Sequence, residues 1–308
     1  MKIIRPTVIT DAMLISSDIP EDDYTPWSSG TTYATGGTTM VTADGIHKVY
    51  ESLVGGNLNN YPPTDVEADI PKWLEMSSTN RWKMFDNVIG SQSTQGTSMT
   101  IVIKPGVCDS IAFLNIVATQ VEITVNDPVA GEVFHEVIDL LSTGTTMFSP
   151  VVINWYTYFF AEIVNRPDFV LFTLPPYLQM EITITLSYPA ATVKCGCIVV
   201  GMQAFIGKTR FGLSAGLIDY STKTTDPFGN YTILERAFSK RMSVDLYVPN
   251  VNIDELTRLL AVYRAKPLIW IGSEDYSTTM IYGFFKDFTV VIAYVNYSEC
   301  SFEIEGLT

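Results

Sequence analysis

The chain of 308 residues is 47% hydrophobic and only 17% charged, with a mean hydropathy of +0.19, a net charge of −14 and a pI of about 4.5. Such an acidic surface repels phosphate and argues against a duplex-binding footprint, and no apolar run reaches the roughly 18–20 residues of a membrane-crossing helix. The opening MKIIRPTVITDAML has no sustained apolar core, so no secretion signal is expected there.

Residues 1–26 read as an extended arm: a short apolar stretch, then the acidic turn SSDIPEDDYTP. Residues 27–85 read as a small β unit. Thr38 to Thr42 is β-branched, Ala43-Asp44-Gly45 is a turn signal, and HKVYESL returns as a strand. VGGNLNNYPPTDVEADIP is loop-like. So small a unit needs its aromatic residues for burial.

Residues 86–206 give about eight strands separated by Gly, Pro, Asp and Asn, the pattern of an antiparallel β-sandwich or jelly roll. Alternation is clearest in Glu122 to Val125 and in Glu181 to Leu186. VKCGCIVVGMQAFIG reads as a central strand apolar on both faces. In it, Cys195 and Cys197 are expected on one face.

Residues 207–308 read as a β-rich domain with one α-helix near 253–265. Asn252 and Glu255 have the spacing of a capping box. Leu256, Leu259, Leu260 and Tyr263 share a face, Arg264 and Lys266 suit the last turn, and Pro267 ends the helix. GLSAGLIDYSTKTTDPFGNYT reads as a long polar loop with embedded aromatics. Loops of that length usually serve an interface or a function, and Asp219, Tyr220, Asp226, Phe228 and Tyr231 are its candidate contact residues. The overall fold class expected is therefore mostly β: a small N-terminal β unit, a central sandwich, and the β-rich domain with its helix.

Catalytic chemistry is sparse. There is no GxSxG elbow, P-loop or GxGxxG fingerprint. His47 and His135 are the only histidines, and His135 sits in an alternating strand. Paired acids could support glycoside hydrolysis; the candidates are Glu21, Asp22 and Asp23, and Glu274 with Asp275. Adjacent acids on an extended loop point apart, however. No catalytic residue, metal ligand or cofactor is expected. Cys108, Cys195, Cys197 and Cys300 show no CxxC spacing and read as reduced, buried thiols of a protein folded in a cytoplasm.

Two resemblances add to this reading. Trp27, Tyr33 to Gly36, Val41, Gly45 with Tyr50, Pro62 or Pro63, and Trp73 follow the aromatic order of the chitin-binding type-3 module. That resemblance implies sugar binding through Trp27, Tyr33, Tyr50 and Trp73, by stacking of exposed rings on pyranose faces. The same rings could equally be the core of a small fold. A longer resemblance runs over nearly the whole chain. WSSGTTYATG, HKVYESL, NRWKMFD (Asn80 to Asp86), DYSTKTTDPFGNYT, ERAFSKRMSV, YGFFKDF and the terminal IEGL are similar to a tail-associated virion protein of tailed bacteriophages. The glycine-proline usual before TNRW is replaced here by Ser77-Ser78-Thr79. This resemblance implies a non-enzymatic component of the tail or tail tip, made in the bacterial host cytoplasm and working in the virion. Its partners would be further copies of itself and other tail proteins, with a host-surface glycan as the alternative. Within NRWKMFD, Asn80, Arg81, Trp82, Phe85 and Asp86 read as a connector. Arg81 would bond loop carbonyls while Trp82 and Phe85 bury against the sandwich.

Overall fold

The computed structural model describes residues 1–142, 164–274 and 276–307. The described residues are mostly β, with antiparallel sheets and, among them, one substantial helix near the C-terminal end.

The first unit is a three-stranded sheet of Thr38–Val41, Lys48–Ser52 and Trp73–Ser78. Asp44 and Gly45 turn the first hairpin with φ of 58° and 72°, the left-handed region that Gly adopts freely and Asp tolerates. Thr32–Tyr33 pairs with Asn57–Leu58, and Pro62–Asp65 forms a single helical turn.

A five-stranded sheet follows, ordered Gly131–Asp139, Gln120–Asp127, Glu181–Ser187, Ser98–Ile103, Leu14–Ser17. Strict alternation drives it. In Glu181–Ser187, Ile182, Ile184 and Leu186 are buried while the residues between them are half-buried. Its inner face packs on Ser110–Val117, Phe169–Leu171 and part of Val193–Phe205. Met99, Ile101, Phe113, Val121, Ile123 and Val200 are among the shared core. This is the sandwich.

The second layer of that sandwich does not stop at residue 206. Val193–Phe205 pairs with Lys2–Pro6, which pairs in turn with Leu268–Ile271. Beyond it come Met280–Val291, Tyr297–Gly306 and Phe238–Pro249, giving one eleven-stranded sheet. The sandwich and the C-terminal region therefore share a sheet, stitched by the N-terminal strand. The sequence explains this locally. Ile3 and Ile4 are both fully buried, and they enter different clusters because neighbours along a strand face opposite ways. Gly201 lets the strands close. A Cβ there would meet the Arg5 carbonyl oxygen at 2.0 Å. Leu14–Ser17, also from the N-terminal arm, completes the opposite sheet.

The helix Ile253–Val262 covers the C-terminal half of the large sheet, burying Leu256 and Leu260 against a cluster that holds Trp270 and Phe302. Two expectations are corrected here. Asn252 makes no side-chain cap: it ends a 3-10 turn, Asn250–Asn252, and is itself helical in φ and ψ. The helix also ends at Val262, before Arg264 and Lys266, with Ala265 at φ 57° turning the chain away.

The cysteines bring a third correction. Cys195 packs in the sandwich core, whereas Cys197 joins a different cluster with Ile4, Leu114 and Tyr282. The alternation breaks between them at Gly196, which faces Asn115 (φ 53°). A Cβ on Gly196 would meet the Asn115 Cβ at 2.8 Å. All four thiols are buried and unpaired, and burial pushes Cys108 and Cys197 up to about 12. Thiolate is the reactive form. A thiol reagent will therefore label essentially none of the four in the native protein and all four in denaturant. Fast native labelling of Cys195 or Cys197 would contradict this packing.

A fourth correction concerns 212–232, expected as a loop. Ser214–Asp219 is an edge strand on Phe238–Pro249, and Thr222–Thr225 pairs with Tyr231–Leu234. Tyr220 N–H donates to the Ala237 carbonyl at 3.3 Å and carries the ladder across the join. The segment is one long β-arm whose tip is Asp226 to Asn230.

Candidate functional site

Three places collect the residues singled out in the sequence. The first is the aromatic cluster of the N-terminal unit. Tyr33, Tyr50 and Trp73 are 8%, 2% and 1% exposed. Trp73 donates its indole N–H to the Asn60 carbonyl at 3.0 Å, and Tyr33 meets it edge-on at 5.0 Å. The Tyr33 hydroxyl accepts the Ser28 N–H, and burial raises Tyr50 to about 12. Trp27 is half-buried, edge-on to Tyr61 at 5.1 Å. Stacking on a sugar needs an exposed ring face, and Tyr50 and Trp73 offer none. The rings are the core of this unit.

The second place is the connector. Arg81 donates through Nε to the Ile19 carbonyl at 2.9 Å and through Nη1 to Glu21 Oε2 at 3.3 Å. Glu21 Oε1 also accepts from the Thr79 hydroxyl, and lies 2.7 Å from His47 Nδ1. His47 stacks on Trp82 with centroids 4.3 Å apart. Trp82 is 8% exposed in the sandwich core, Phe85 packs edge-on to it, and the Trp82 indole N–H has no partner. Asn80 binds the Thr94 backbone through both ends of its amide, and its own N–H donates to Asp23. Two of the three acids of PEDDY thus serve this joint. Sequence reading did not find Glu21 or His47 here, because their partners lie up to 60 positions away along the chain.

Asp86 accepts the Val88 N–H at 2.8 Å and the Ser91 hydroxyl at 2.7 Å. Burial outweighs these bonds and raises its carboxyl above the ordinary value. A carboxyl raised on folding contributes stability that is full below its unfolded pKa and is lost as pH climbs through the folded value. Asp86→Asn will therefore flatten the decline in Tm that the parent shows upward from about pH 4. Superimposable Tm–pH curves for the two proteins would contradict the assignment.

The third place is the arm. Asp226 fixes its tip: Oδ1 accepts the N–H groups of Phe228 and Asn230, Oδ2 accepts the Asn230 amide, and Gly229 turns with φ 87°. These bonds, the Asn230 side chain foremost, hold the Asp226 carboxyl below its ordinary value. Asp219 likewise accepts the Ser221 N–H at 2.8 Å. Tyr220, at the arm's base, reaches Ser239 and Glu305. The arm's apolar side chains face solvent: Phe228 is 90% exposed, and Tyr231, Ile233 and Leu234 are each more than half exposed. Lys223 lies over the Tyr231 ring at 4.7 Å. A two-stranded hairpin is marginal on its own in water, and along this strand Tyr231 and Ile233 point to one face and Leu234 to the other.

The remaining candidates are dispersed. His135 pairs with Glu122 at 3.0 Å on the solvent face of the five-stranded sheet. Glu274 pairs with Lys2 at 2.7 Å, and its neighbour Asp275 lies outside the described residues. Among the described residues no cluster of three or more His, Cys, Asp or Glu could hold a metal ion, and no helix is long and apolar enough to cross a membrane.

No protein-family model matches the chain, and no curated protein matches it either.

Proposed function

We propose that this chain is a structural component of a bacteriophage tail or tail tip, acting without catalysis through assembly with further copies of itself and with other tail proteins. The observation that carries the reading is the arm. An ordered hairpin that leaves Phe228, Tyr231, Ile233 and Leu234 in solvent forgoes burial of about 1.5–3 kcal/mol per large side chain, a loss that docking recovers. Two further features support it. The joint around Glu21 and Trp82 and the shared sheet make the body rigid, so an arm on it has a fixed direction. The resemblance of NRWKMFD and the other motifs to a tail-associated virion protein supplies the assembly concerned.

The alternative, recognition of a host-surface glycan by Trp27, Tyr33, Tyr50 and Trp73, is weakened by the burial of three of those rings. A glycan array probed with the intact chain is expected to stay silent. The main reading is tested on particles: antibodies raised against the chain will decorate the tails of the phage that encodes it. Particles that carry no label, or label only on the head, would sink the proposal.

A further inference from the structure

We propose that Phe228 at the tip of one arm seats in a cavity at the base of the arm on a second copy, so that copies join tip to base. This rests on the assembly reading above and names the partner surface.

The cavity has a volume of about 300 Å³ and lies where the sandwich meets the C-terminal strands. Leu114, Pro167, Phe238, Met280 and Ile281 give it mostly apolar walls. An apolar cavity of about 150 Å³ already accepts a benzene ring. This one has room for a phenyl group and part of the turn that bears it.

The cavity also holds a donor that can meet the tip. The charged groups lining the cavity are Lys240 and Asp168, whose Nζ and Oδ2 lie 2.6 Å apart. An ammonium has three donors, and Asp168 takes one of them. Asp226 stands two residues before Phe228, an ionised carboxylate with acceptor capacity left beyond the three N–H bonds of the tip. An incoming tip brings that carboxylate towards Lys240 as its ring enters.

The arm cannot reach its own cavity. Ala237, Phe238 and Lys240 line the cavity and also form the arm's base. Phe228 is ten residues further along an extended ladder, roughly 30 Å away at ~3.3 Å per residue. The tip is already fixed by Asp226, so docking orders little. Two different surfaces meet in such a contact, and contacts of that type propagate into a ring if the rotation closes.

The test uses the full chain and sedimentation velocity. Phe228→Ala removes the ring from an exposed tip. Ala237→Trp, also at an exposed position, fills the cavity. Both variants will stay folded, each with a single cooperative melt, below the parent's only by what the parent's self-association adds. The parent will form multimers, and each variant alone will associate at least about thirty-fold more weakly, as expected for a central anchor. Mixed one to one, the variants will form dimers and nothing larger, because one supplies an intact tip and the other an intact cavity. A monomeric parent, an undiminished multimer of Phe228→Ala, or a mixture that stays monomeric would each overturn the proposal. If Phe228→Ala assembles normally while a chain lacking the whole arm does not, the assembly reading survives and this contact alone fails.

Discussion

Ile4→Asp will leave the protein unable to hold its native state. Ile4 is fully buried in Lys2–Pro6, between Gln203 on one neighbouring strand and Ile269 on the other. The substitution forfeits the burial of an isoleucine, about 1.5–3 kcal/mol, and places a carboxylate where no cation waits for it. An unpaired buried charge costs far more than a lost contact, and it escapes the cost only by taking up a proton or opening the structure. Together these exceed about 5 kcal/mol, as much as the whole stability of many domains. The expected readout is loss of the cooperative urea transition, or a midpoint far below the parent's. Ile4→Val, which keeps the shape of the strand, will cost only about 0.5–1.5 kcal/mol. The strand joins sandwich to C-terminal sheet, so both regions must fail together. If intrinsic fluorescence of Trp270 and amide exchange in Glu181–Ser187 report separate transitions in the Ile4→Asp protein, the shared sheet is not one cooperative unit.

Trp82→Ala will have the next largest effect, about 3–5 kcal/mol, the usual cost of truncating a large aromatic in a core. The ring does two jobs. It fills part of the sandwich core beside Met84 and Phe85, and its face supports His47 of the first unit. Removing it creates a cavity and frees the His47 ring at once. The Tm will fall, and residual couplings measured by NMR will show the first unit reorienting on the sandwich. Trp82→Phe will cost much less, since the indole N–H that it removes has no partner. Unchanged melting and unchanged orientation in Trp82→Ala would mean that the connector locks nothing.

Much of this fold was legible because burial leaves a period in the sequence. Val121, Ile123 and Val125, and Ile182, Ile184 and Leu186, each alternate with more polar residues, since one face of their sheet is core and the other is solvent. Leu268–Ile271 shows no alternation because both its faces are covered. The arm resembles a loop in the sequence for the opposite reason. Every side chain of Thr222–Thr225 and Tyr231–Leu234 is exposed, so neither face imposes a pattern. Only the turn residues Asp226 and Gly229 and the β-branched threonines carried the signal.

The joint was half legible. NRWKMFD announced a cation and two rings in a short connector, and Arg81 does bond a carbonyl, that of Ile19. Glu21 and His47 could not be placed beside it, because pairing across tens of residues depends on the completed fold. The same limit hid the shared sheet. Two adjacent isoleucines foretell burial on both sides of a strand, but not which strands flank it. For Tyr33, Tyr50 and Trp73 the residue types were informative and the exposure was not. A ring that stacks on sugar and a ring that fills a core leave the same mark in a sequence.

The claim on which the functional account stands is that the exposed arm exists to be covered by a further copy of this chain. The most direct measurement is the solution mass of the intact chain beside a variant in which residues 221–235 are replaced by a short glycine turn. The account predicts a multimer for the first and a monomer that still melts cooperatively for the second. Equal masses for the two would contradict it.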